Sequence, residues 1–183
     1  ITYNDTHLYS SYGTYTTKLV VTTEKGCKDS LSKTTTVYPN PKAKASVDDS
    51  AQCLTQHTFH MNDVSTISWS NLISKWTLSN GVTSTSTLFK YRFVLDGFYT
   101  AKLVSISNFG CKDSVIFPIR VKPSVIPDYT VNNIPQCFNV NQFTFTEGST
   151  LNRGTYTYRW EYGDGNKDSG KTVKHRYTDT GLF

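Results

Sequence analysis

Three kinds of side chain in this 183-residue sequence are able to do chemistry: four cysteines, four histidines and a group of aspartates around one glycine-rich turn. The cysteines are Cys27, Cys53, Cys111 and Cys137, with no Cys-x-x-Cys spacing to suggest a zinc or redox site. His57 and His60 are three apart in an apolar-alternating run. A strand would put them on opposite faces, so they do not chelate one ion together. His7 and His175 lie far apart in sequence. The aspartates Asp164, Asp168 and Asp179 offer oxygen donors of the type calcium takes, but calcium needs six to eight oxygens and no EF-hand loop is present. Ser, His and Asp are scattered without the pattern of a hydrolase triad, a phosphate loop or a paired-carboxylate site. The residues thus point to a non-catalytic protein that needs no cofactor.

The elements that position these residues read as strands. Thr, Ser, Tyr, Phe and Val dominate, and period-two runs such as Tyr15 to Val21 and Val115 to Val121 are those of half-buried β-structure. Lys and Arg number 19 against 14 acids, a net charge of +5. They are spread along the strands instead of clustered, which argues against nucleic-acid binding. No apolar run approaches the roughly 18 residues of a membrane span.

One internal period organises the chain. Gly13, Gly97 and Gly181 are evenly spaced at an offset of 84 (97 − 13 and 181 − 97), and the same offset carries Tyr15 to Tyr99, Cys27 to Cys111, Cys53 to Cys137, Trp76 to Trp160 and Gly81 to Gly165. Gly26-Cys27-Lys28-Asp29-Ser30 returns as Gly110-Cys111-Lys112-Asp113-Ser114 without a gap. A period of this size suits a small β-sandwich domain repeated in tandem. It predicts the end of one unit at residues 1–41, a complete unit at 42–125 and the start of a third at 126–183, where Phe183 aligns with Tyr99. The third unit would lack its last two strands, so the polypeptide is expected to continue in both directions. Tyr38-Pro39-Asn40-Pro41 and Lys122 to Pro127 read as short, stiff linkers.

The most specific stretch is Trp160-Glu161-Tyr162-Gly163-Asp164-Gly165, followed by His175-Arg176-Tyr177 and Gly181. It resembles the signature of PKD domains, extracellular immunoglobulin-like modules with the pattern Trp-x-Phe/Tyr-Gly-Asp-Gly, then His-x-Tyr, then Gly-x-Tyr. The middle unit keeps Trp76 and Gly81 but has Ser79-Asn80 before the glycine, and Tyr91-Arg92-Phe93 in place of His-x-Tyr. That loss of the acid marks Gly163-Asp164-Gly165 as turn chemistry. Tyr15 and Tyr99, each just after a turn glycine, resemble the tyrosine corner of immunoglobulin-like sandwiches, whose hydroxyl bonds nearby backbone.

Repeat phase predicts a disulfide between Cys53 and Cys111 within the complete unit, with Cys27 and Cys137 pairing to cysteines outside this sequence. Free buried thiols are the alternative. Such a bridge, closing the long loop from Cys53 to Cys111, would remove unfolded-state entropy worth about 4 kcal/mol and imply an oxidising, extracellular setting.

The cysteine-bearing variant of the pattern is similar to the tandem PKD arrays of very large surface proteins in bacteria that use type IX secretion, gliding-motility adhesins among them. That resemblance implies a stalk or filament at the bacterial cell surface, contacting neighbouring PKD domains and, beyond them, surface polysaccharide or other surface and secretion proteins. PKD domains also serve as accessory modules of secreted proteases and polysaccharide-degrading enzymes. Asp29-Ser30, Asp49-Ser50 and Asp113-Ser114 resemble the O-glycosylation acceptor motif of such bacteria; the plainer reading is that Ser30, Ser50 and Ser114 simply face water. Trp69, Tyr156 and Tyr158 are candidates for an adhesive surface on the units themselves.

Overall fold

The computed structural model describes residues 6–132 and 135–181; the expected alignment of Phe183 with Tyr99 falls outside them. The chain is all-β, with a single 3-10 turn at Phe138–Val140 among the described residues. By Cα proximity it divides into two compact units, residues 1–51, 58–92 and 98–120 in one and residues 52–57, 93–97 and 121–183 in the other.

The first two strands, β1 (Gly13–Thr22) and β2 (Lys28–Val37), form an antiparallel hairpin from Gly13 opposite Val37 to Thr22 opposite Lys28. Tyr15, Leu19 and Val21 share one face, as the alternation predicts, yet Leu19 and Val21 are exposed because no described element packs on that face.

Eight strands make the central sandwich: β3 (Ala45–Val47), β4 (Ala51–Cys53), β5 (Phe59–Asp63), β6 (Leu72–Leu78), β7 (Thr83–Ser84), β8 (Leu88–Tyr91), β9 (Gly97–Ser107) and β10 (Lys112–Lys122). One sheet runs β4-β10-β9-β6-β7 and the other β3-β5-β8. The inward positions are those the alternation marks: Phe59 and Met61 on β5, Trp76 and Leu78 on β6, Ala101 and Leu103 on β9, Ile119 and Val121 on β10, all buried. Trp76 is fully enclosed, set against Phe89 (centroids 6.2 Å apart) and edge-on to Phe117 (6.3 Å). Burying such side chains is the main stabilising term of a small sandwich. The short strand β4 was not legible in the sequence, since Ala51-Gln52-Cys53 is too brief to show alternation.

The remaining strands are β11 (Tyr129–Val131), β12 (Phe143–Glu147), β13 (Trp160–Glu161), β14 (Lys167–Asp168) and β15 (Thr172–His175), in a three-stranded sheet β11-β12-β15 and the hairpin β13-β14. Their registers reproduce those of the centre. Ala45 faces Asp63 as Tyr129 faces Glu147, and Phe59 faces Tyr91 as Phe143 faces His175. Isolated bridges join Lys42 to Thr66 and, one repeat later in both partners, Ile126 to Thr150.

The glycine-bracketed turn as a candidate functional site

Strand β13 ends in a turn whose two glycines take a backbone conformation that residues with a Cβ disfavour. Gly163 (φ 83°) and Gly165 (φ 91°) both occupy the left-handed region, as does Gly81 (φ 88°) at the corresponding place in the centre. Glycine takes this conformation without the Cβ clash other residues suffer. Between the two glycines, Asp164 accepts from the Asn166 backbone N–H (3.0 Å) and from Asn166 Nδ2 (3.0 Å), closing the turn on itself. Its Oδ2 also lies 2.7 Å from His175 Nε2 on β15. The imidazole stacks on Tyr162 with ring centroids 4.0 Å apart and planes within 4°, and Tyr177 donates its hydroxyl to the Tyr162 carbonyl (2.9 Å).

The electrostatics follow from these contacts. Partial burial works against the Asp164 carboxylate, but the Asn166 hydrogen bonds and the His175 ring outweigh it and hold the group below its ordinary 3.8. Burial, with nearby acidic charge, pushes the hydroxyls of Tyr162 and Tyr177 up. Both oxygens of the Asp164 carboxylate are thus engaged in bracing the hairpin. Asp168 accepts from the Ser169 backbone N–H and Asp179 from that of Thr180, each closing a local turn. Among the described residues no group of three or more His, Cys, Asp and Glu gathers to hold a metal ion.

Trp160 donates its indole N–H to the Gly170 carbonyl (2.9 Å), as Trp76 does to the Ser86 carbonyl (3.0 Å). Trp160 is only half-buried, against Tyr129 and Phe145. Tyr15 donates to the Ser11 carbonyl (2.7 Å), a bond of the tyrosine-corner type; Tyr99 is half-buried at the head of β9. Ser30, Ser50 and Ser114 are all exposed, and the aspartates before Ser30 and Ser114 accept from the following backbone N–H. Of the three aromatic residues considered for adhesion, Tyr156 is tied down by hydrogen bonds to Glu147 and the Ser149 carbonyl. Trp69 and Tyr158 are exposed.

The strand geometry does not bring Cys53 and Cys111, expected to form a disulfide, together. All four cysteines are free thiols. Cys111 immediately precedes β10, whereas the residue after Cys53, Leu54, donates its N–H to the carbonyl of Lys122 at the far end of that strand (2.9 Å). Ten residues of extended chain span roughly 33 Å, and a disulfide needs Cα atoms within about 7 Å. Repeat phase places both cysteines in one unit, but it carries no information about which end of the unit each occupies.

Two buried polar residues make bridging bonds whose partners the residue order does not reveal. His57, fully buried, sits with Nδ1 2.8 Å from the Leu54 carbonyl and accepts from the Phe93 N–H at Nε2 (2.7 Å). Those bonds require the neutral ring with its proton on Nδ1. Asn141, one repeat later, does the same work by donating to the Phe138 carbonyl (2.6 Å) and accepting from the Tyr177 N–H (2.8 Å). Histidine and asparagine share no side-chain signal that a residue-type scan would notice, though both present one donor and one acceptor.

The paired sheets, the buried tryptophan and the glycine turn define an immunoglobulin-like β-sandwich. Residues 126–183 match the family model of the PKD domain. Among solved structures, the chain is similar to the PKD1 domain of the Vibrio cholerae metalloprotease PrtV, at 22% identity and a TM-score of 0.39, over 46% of this chain and 98% of that one. No curated protein matches. Among the described residues no helix is long and apolar enough to cross a membrane.

Proposed function

We propose that this chain is a non-catalytic structural segment of a large secreted or cell-surface protein, in which tandem PKD units at 1–41, 42–125 and 126–183 act as a stalk or filament spacer for adhesion or gliding motility. The observation that carries this reading is the PKD match at 126–183 together with the return of its bonding pattern one repeat earlier, down to the Trp76 and Trp160 indole bonds. Aspartate, histidine and tyrosine at the glycine-bracketed turn are spent on bracing one another, an arrangement suited to holding a hairpin and not to catalysis. An extracellular setting follows from the module type. The partners of the segment are then neighbouring PKD units, and the partners of the whole protein are surface polysaccharide or other surface and secretion proteins. Exposed Ser30, Ser50 and Ser114 are available for O-glycosylation in a type IX-secreting bacterium.

The competing reading makes the units accessory, substrate-contacting modules of a secreted hydrolase, with exposed Trp69 and Tyr158 as the aromatic surface that would meet a polymer. Sequencing the full-length gene separates the two. Many further copies at the same spacing are expected for a stalk; an adjoining protease or glycosidase domain with few copies overturns it.

A further inference from the structure

Cations that are scattered along the sequence are gathered on one surface by the pleat of the central five-stranded sheet. Side chains of a strand alternate between its two faces. The inner face holds Trp76, Leu103 and Ile119, all buried, so the odd positions of β6 and the even positions of β9 and β10 point away from the core. Those outward positions carry Lys75, Lys102, Lys112 and Arg120, each exposed. Asp113 is the one acid in the five strands, and it alternates to the other side and accepts from the Ala43 N–H (2.8 Å). All of these residues fall in a single compact unit; Lys122, the last residue of β10, falls in the other and is no part of the site.

These cations have no acidic partner: among the described residues, every ion pair lies elsewhere. Register keeps the group together. Lys75 is opposite Val104 and Thr77 opposite Lys102, so Lys75 and Lys102 are diagonal neighbours roughly 7–8 Å apart. The chain turns back from β9 to β10 where the Ser107 N–H donates to the Cys111 carbonyl, and this returns Arg120 to the start of β9, its guanidinium over the Phe98 ring at 5.1 Å from the centroid. A guanidinium stacked in this way still presents its N–H fork to a planar anion. Between the charges stand Ile73, Val104, Ile106, Ile116 and Pro118, exposed or half-buried, and Phe98 is 80% exposed. Apolar surface set among polar groups marks an interaction site.

We infer that the outer face of the sheet β4-β10-β9-β6-β7 is a docking surface for an acidic polysaccharide, one that carries carboxylates on its sugars. Charge complementarity carries the assignment: unpaired cations with no acid among them attract a polyanion and orient it. The Arg120 fork matches a carboxylate, and the interleaved apolar side chains suit the C–H faces of sugar rings. A single-stranded nucleic acid is held by several aromatic platforms. This face has one, Phe98, and Arg120 covers it. The surface belongs to the repeat unit itself, so the inference goes beyond the stalk reading, which leaves contact with polysaccharide to other parts of the protein.

The test is NMR titration of the full 183-residue chain, made without glycosylation because Ser114 shares the face. The probes are oligogalacturonate, its fully methyl-esterified form, oligothymidylate and phosphatidylglycerol vesicles. Saturable binding of the free acid alone is expected, with amide shifts confined to β6, β9 and β10 and an affinity that falls as salt rises. Lys75→Ala with Lys102→Ala should weaken it about fivefold or more. Arg120→Lys, which keeps the charge and loses the fork, should weaken it as well. Lys90→Ala removes an exposed cation from β8 on the other sheet and should leave binding unchanged. The substituted side chains are all exposed, and unchanged amide spectra elsewhere will show that each variant is folded. Absence of binding, equal binding of the methyl ester, the oligothymidylate or the vesicles, or an equal loss from Lys90→Ala would overturn the site. The stalk reading is decided by copy number and neighbouring domains, so either can fail without the other.

Discussion

Asn80 Nδ2 donates to the Tyr91 hydroxyl at 3.1 Å, and Asp164 and His175, the residues one repeat later, are joined at 2.7 Å. Both partners and the direction of donation have changed, and the link between the two positions is kept. The side-chain tie from the turn to the strand that follows is therefore the retained element, and the acid is one of two ways to make it.

The two versions should differ in acid. The Asp164 carboxylate is held below 3.8 in the folded chain because hydrogen bonds from Asn166 and His175 outweigh the cost of its partial burial. A depressed carboxylate contributes stability above its unfolded value, and that contribution is lost as pH falls from about 3.8 through the lower folded value. Asp164→Asn with His175→Tyr should match the wild type in urea unfolding at pH 7 and lose less stability below pH 3.8. Parallel curves for the two proteins on further acidification would show that the aspartate tie is not acid-linked.

His57→Asn should be well tolerated, because Asn141 already supplies the same donor and acceptor. His57→Ala strands the Phe93 N–H and the Leu54 carbonyl in the core, with an expected loss of about 1–3 kcal/mol in urea unfolding. Equal losses for the two variants would refute the bridging role.

Gly81→Ala and Gly165→Ala test the turns in isolation from packing. An added Cβ meets nothing within 4 Å at either site, so only the positive φ is penalised. The expected cost is about 1–2 kcal/mol each, measured by thermal unfolding; a neutral substitution would mean that the turn relaxes freely.

Unreduced peptide mapping of the oxidised chain should yield no Cys53–Cys111 link, and all four cysteines should take up iodoacetamide in the native state. Cys27, Cys53 and Cys137, being exposed, should label ahead of the half-buried Cys111. Recovery of the linked peptide would require a different position for β4.

Strand identity, the inward faces of β5, β6, β9 and β10, the glycine turns and the offset that returns Gly13 as Gly97 were all written in local residue order. Alternation and positive-φ glycine act over a few residues, so a linear reading captures them. What the tertiary structure alone decided is which distant residues meet: His57 with Phe93, Asp164 with His175, Tyr12 with Trp69, and the placement of Cys53 and Cys111 at opposite ends of β10. Those pairings depend on strand direction and register across the sheets, and no period along the chain encodes direction in space.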